Sequence, residues 1–195
     1  MSAGTWAGVV LVVVLALVVV GYALTAWSRR RRLRDRFGPE YERTVRHSDS
    51  RREAEQELVS REERHARLRI RPLDPETRDS YARKWAEVQE QFVDAPGFAV
   101  AEAGTLVAAV MAERGYPTEE FEQRLSDLSV AHAATLDHYR KAHDISGRAA
   151  RQDATTEELR QAMVHYRELF RELLGDDAES RADGARSRGV KGADR

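Results

Sequence analysis

The sequence predicts an all-α protein: an N-terminal transmembrane helix, a long charged helix, then a small bundle of about five amphipathic helices. Three observations predict it. The first 27 of 195 residues carry no charge, although 33% of the chain is charged. Beyond residue 72, apolar residues recur three and four apart between Pro and Gly punctuation. No segment alternates apolar and polar residues as a half-buried strand does. The predicted divisions are a transmembrane anchor at 1–28, a basic flank and charged linker helix at 29–71, a helical bundle domain at 72–175, and a disordered tail at 176–195.

Composition excludes several classes of chemistry. The 32 Lys+Arg against 33 Asp+Glu give a net charge of -1, so no nucleic-acid partner is expected. Without cysteine there is no disulfide, thiolate zinc site, iron–sulfur cluster or cysteine nucleophile. The charge is unevenly placed. Residues 29–71 hold 15 Arg and 9 acids, whereas 72–175 hold 12 bases and 19 acids. A basic collar therefore follows the apolar leader, and an acidic domain follows the collar.

From Trp6 to Trp27 the chain reads WAGVVLVVVLALVVVGYALTAW. As a helix those 22 residues span roughly 33 Å, close to the hydrocarbon thickness of a bilayer. Trp6, Tyr22 and Trp27 sit where interfacial aromatics are expected. A cleaved signal peptide is the rival reading. No Lys or Arg precedes the apolar run, the run exceeds an h-region of about 7–15 residues, and Leu24 spoils the cleavage site after Ala26. Arg29, Arg30, Arg31, Arg32, Arg34 and Arg36 then place the C-terminal body in the cytoplasm and the N-terminus outside. The same arginines could attract anionic lipid headgroups or serve only to fix topology. Gly4 with Gly8, and Gly21 with Thr25, mark a candidate face for a homodimer through the transmembrane helix.

Phe37-Gly38-Pro39 breaks the pattern. Glu40 to about Arg69 reads as one solvated helix, with i,i+4 pairs such as Glu57/Arg61 in the favourable order. Asp74 before Pro75 starts the next helix, whose face is Tyr81, Trp85, Val88 and Phe92. Asp94 before Pro96 starts another, buried along Ala99, Ala103, Leu106, Val107, Val110 and Met111 and stopped by Gly115. Thr118 caps a short helix, and Ser129 is a candidate cap for a further one that ends near Gly147. Thr155 and Glu158 form a capping box, and Gly175 closes the last helix.

No nucleophile elbow, glycine-rich phosphate loop or H-E-x-x-H occurs. No catalytic residue, cofactor site or metal site is assigned. Glu62 and His65 form one Glu-x-x-His unit where di-iron bundles need two. His143 beside Tyr139 and His165 beside Tyr166 are the histidines expected to be partly buried. Arg114 and Tyr116, around Gly115, are either a candidate protein interface or a helix stop whose Tyr packs inward.

The stretches RFGPEYERTV, LRIRPLDPETRDSYARKWAEVQEQFVD, ERGYPTEEFEQRLSDLSVAH and TEELRQAMVHYRELFRELL resemble a group of single-pass membrane proteins of high-GC actinobacteria. The resemblance implies a membrane-anchored helical protein and supplies no activity, ligand or catalytic residue. The expected function is a non-enzymatic interaction or scaffold module at the cytoplasmic membrane face, with the lipid bilayer and a protein as partners. The alternative is an enzyme or small-ligand binder with a site between helices, near Tyr81, Trp85, Tyr139, His143 and His165.

Overall fold

The computed structural model describes residues 3–175, and side chains from Val14 onward. The predicted disordered tail at 176–195 lies outside the described residues, as do the Trp6 side chain and the surroundings of Gly4 and Gly8. Eight α-helices and no strand occur among the described residues. The chain divides into two compact units, Met1–Val59 and Ser60–Arg195.

The first unit begins with α1 (Ala3–Phe37), 35 residues without a break. Gly38 takes φ 48, a conformation that L side chains rarely adopt, and separates the two helices in one residue. Pro39 then opens α2 (Pro39–His47), where its missing N–H costs nothing. Glu40 to Arg69 is therefore not one helix. Ser48–Ser50 interrupts it, and α3 (Arg51–Arg67) starts anew with the Ser50 hydroxyl accepting from the Glu53 N–H at 3.2 Å. Nor is this region wholly solvated: Tyr41, Ala54 and Leu58 are fully buried, as are Leu33 and Phe37 of α1. The Glu55 carboxylate fastens the three helices together, accepting from Tyr41 Oη at 2.8 Å and Arg30 Nε at 3.2 Å.

The second unit contains the predicted five-helix bundle: α4 (Pro75–Gln91), α5 (Pro96–Arg114), α6 (Phe121–Ala131), α7 (Leu136–Ala150) and α8 (Thr156–Leu174). Helix α5 is central and packs against α4, α7 and α8. Among the described residues it is the one helix long and apolar enough, with a mean hydropathy of 1.2, to cross a membrane. Its burial of Ala99, Val100, Ala103, Leu106, Val107, Val110 and Met111 explains that composition as a core helix. Gly104 lets the Tyr166 ring lie on α5, since a Cβ there would stand 2.9 Å from Tyr166 Oη. Trp85 stacks on Phe170, with centroids 4.6 Å apart, and joins α4 to α8.

The caps decide where the helices begin and end. Asp74 accepts from the Thr77 N–H at 2.9 Å, and Thr155 with Glu158 forms the full capping box. Gly115 and Gly175 adopt the left-handed conformation expected of helix stops. Three expected caps fail. Ala95, not Asp94, precedes α5. Glu120, not Thr118, precedes α6. Ser129 is buried inside α6 and donates to the Ser126 carbonyl at 2.6 Å, so the helix continues to Ala131. Gly147 likewise lies within α7.

Candidate functional site

Two kinds of site emerge, one in each unit. On α1 every described residue from Val14 to Thr25 is exposed, and the large apolar ones are 50% to 75% exposed. Such a surface on all sides of a helix far exceeds the scattered apolar exposure of ordinary protein surfaces. Tyr22 and Trp27 are both exposed, as interfacial aromatics would be, and Arg31 lies over the Trp27 ring at 5.6 Å.

The arginine collar below this stretch is partly neutralised from within the unit. Arg30 engages Glu55, Arg34 engages Glu42 at 2.8 Å, and Arg31 approaches Asp35 at 4.0 Å. Burial and the adjacent Glu55 push the Tyr41 phenol up, so it stays protonated and donates. Arg29 faces two cavities. One, of about 470 Å³, lies between Tyr22, Thr25, Ala26, Arg29 and Arg30 of α1 and Arg51, Arg52, Glu55 and Gln56 of α3. The other, of about 510 Å³, is bounded by Ser28, Arg29, Arg32 and Val59. Arg51 and Arg52 open α3 directly after the break at Ser48–Ser50, where Ser50 and Glu53 carry the Ser-x-x-Glu pattern of a helix start, a local signal that the charge pattern of residues 40–69 obscures.

In the second unit a polar cluster closes one end of the bundle. Gly115 turns the chain back, the Tyr116 N–H donates to the Met111 carbonyl at 3.0 Å, and the Tyr116 ring goes inward, to 4% exposure. Tyr116 is therefore an interior contact and not an exposed interface anchor. Its hydroxyl lies 3.1 Å from His132 Nε2. On the other side of the imidazole, Nδ1 lies 2.9 Å from Glu172 Oε1. Nδ1 is close to the carboxylate without the geometry of a hydrogen bond to it, whereas Nε2 and the phenol are hydrogen-bonded. Thr135 donates to the other oxygen of Glu172, and Arg114 donates to the Leu173 carbonyl at 2.9 Å. Burial pushes the Tyr116 phenol up. The contacts among Tyr116, His132 and Glu172 join the ends of α5, α6 and α8.

A second histidine arrangement joins α7 to α8. His138 Nδ1 and His165 Nδ1 are 2.8 Å apart, a distance that requires one to donate and the other to accept. Desolvation, His138 and Lys141 hold His165 below its ordinary pKa, against the opposite pull of Asp137 and Glu168. His143 stacks on Phe121 at 3.6 Å, and burial with Arg124 lowers it as well. Neither pairing has a sequence signal, because each joins residues on different helices.

Of the remaining residues proposed for a ligand site, Trp85 and Tyr139 are buried in the packed core, and Tyr81 is half-buried. A cavity of about 170 Å³ lies in the same unit, bounded by Gln89, Phe92, Met163, Val164, Arg160 and Arg167. No group of three or more metal-ligating side chains is assembled among the described residues. Comparison with protein-family models, curated proteins and solved structures finds no match.

Proposed function

We propose that this chain is a membrane-anchored helical interaction module: residues 6–27 cross the bilayer, the N-terminus lies outside, and the bundle meets a protein partner at the cytoplasmic face. The observation that carries this reading is the exposure of α1, whose apolar side chains from Val14 to Leu24 have no protein to pack against. A bilayer provides the missing apolar surroundings, and an unbroken helix satisfies its own backbone there. The arginine run beginning at Arg29 supports the orientation by the positive-inside rule. A Cβ added at Gly21 would meet nothing within 4 Å, which leaves that face open for a second copy of the helix. Alkaline carbonate extraction tests the anchor: the chain stays with the membrane pellet, and its release to the supernatant overturns the reading.

A small-ligand site between helices is the second reading. In its favour stands the cavity bounded by Phe92, Met163 and Val164. Its volume of about 170 Å³ is below the roughly 300–1,000 Å³ usual for ligand pockets. The interaction module is therefore preferred.

A further inference from the structure

We propose that the cavity between α1 and α3 is a binding site for the phosphate of an anionic phospholipid, whose acyl chains lie along the exposed apolar surface of α1. This rests on the membrane-anchor reading and goes beyond it, because an anchor needs only apolar length and a basic flank, not a lipid-selective site.

Four guanidinium groups, Arg29, Arg30, Arg51 and Arg52, line the cavity with a single carboxylate, Glu55. That carboxylate is already engaged by Arg30 and by the Tyr41 hydroxyl. Arg29, Arg51 and Arg52 are exposed, and none forms an ion pair with a carboxylate among the described residues. Three cations thus converge on a space of about 470 Å³, within the range of small-ligand pockets. Guanidinium forks match phosphate oxygens two at a time, which makes arginine the fitting residue type.

Position selects the source of the phosphate. The same cavity is lined by Tyr22, Thr25 and Ala26, the last turns of the apolar stretch. Tyr22 is 75% exposed there. A phosphate held by Arg51 and Arg52 therefore lies at the depth where the helix changes from apolar to basic, which is where headgroup phosphates lie. The excess of positive charge favours a lipid with net negative charge over a zwitterionic one.

The test uses the full chain reconstituted into nanodiscs of phosphatidylcholine with phosphatidylglycerol, followed by native mass spectrometry of the lipids that remain bound. The wild-type chain retains phosphatidylglycerol in preference to phosphatidylcholine. Arg51→Gln with Arg52→Gln lowers that preference by about tenfold. Arg31→Gln with Arg34→Gln removes the same charge from arginines already paired with Asp35 and Glu42, and lowers the preference by less than the first pair does. Equal losses in the two double variants, or no loss in the first, overturn the site in favour of diffuse attraction. Displacement of the lipid by inorganic phosphate with equal retention of either lipid afterwards overturns the lipid assignment in favour of a free anion. Insertion of every variant into discs of phosphatidylcholine alone reads the anchor separately, so loss of the site and loss of the anchor give different results.

Discussion

In the bundle, the side chains that water rejects meet one another, in a single cluster running from Leu73 to Leu174. On α1, between Val14 and Leu24, side chains of the same kind stand exposed. The polar groups are reversed as well. The bundle encloses Asp127, Ser129 and His132, whereas the collar gathers arginines around open cavities. One chain thus carries two arrangements of apolar residues: a core that is closed by its own helices, and a helix whose apolar side chains stand exposed. Substitutions separate them, because the same truncation has different consequences in the two regions.

Phe170→Ala is expected to have the largest effect. It removes a buried ring stacked on Trp85, and costs about 3–5 kcal/mol in urea unfolding of the detergent-solubilised chain. The matching truncation on α1, Leu17→Ala, leaves that unfolding midpoint unchanged, because Leu17 is 66% exposed. A comparable loss at both positions would break the distinction between the regions.

Gly115→Ala comes next, at about 2 kcal/mol or more by the same measurement. The position has φ +93, and a Cβ would stand 2.7 Å from the Arg69 carbonyl oxygen, a backbone atom that cannot swing aside. Gly38→Ala also meets positive φ but has open space around it, so its cost is smaller. Thr155→Ala removes the capping box of α8 and costs about 1 kcal/mol. In the first unit, Tyr41→Phe deletes the hydrogen bond to Glu55 and costs about 0.5–1.5 kcal/mol of local stability, read as faster amide exchange in α2.

The smallest effect is on pH. His143 and His165 both titrate below the ordinary 6.5 in the folded chain. The unfolded chain therefore takes up protons first as pH falls. Stability is full above about pH 6.5 and declines below it, as far as the lowered folded values. The urea midpoint accordingly drops as pH falls through about 6.5 and below. His165→Gln flattens that dependence, and an unchanged slope would show that the pair with His138 is not its source. Glu157 and Glu158, held down to about 2 by Arg160 and by the Thr155 N–H respectively, lose their contribution only under stronger acid.

The parts of the fold that are legible in the sequence are those decided locally. Asp74 next to Pro75, Thr155 three residues before Glu158, and glycines at 115 and 175 each set a helix end through atoms within one turn. Asp94 and Thr118 mislead because a capping residue type only permits a cap, and the chain after each runs further before the helix begins. Ser129 misleads because a hydroxyl inside a helix can satisfy itself on the preceding turn. The collar is half legible. Arg29 to Arg36 announce a basic flank, but Leu33 among them and Phe37 one helical turn later are fully buried. The breaks at Gly38 and before α3 are local and have sequence signals in Gly38-Pro39 and Ser50-x-x-Glu53, but the packing that sets Arg51 and Arg52 beside Arg29 is a tertiary consequence that no window of sequence displays. The histidine contacts, His132 with Tyr116 and His138 with His165, are hidden for the same reason.

The central claim is that α1 crosses the membrane and leaves the bundle in the cytoplasm. The absence of native cysteine makes the direct measurement simple. A single cysteine is introduced at Glu119, an exposed residue between α5 and α6, and treated in intact cells with a membrane-impermeant maleimide. The account predicts no labelling until the cells are permeabilised, with the chain retained in the membrane fraction. Labelling in intact cells would place the bundle outside and contradict it.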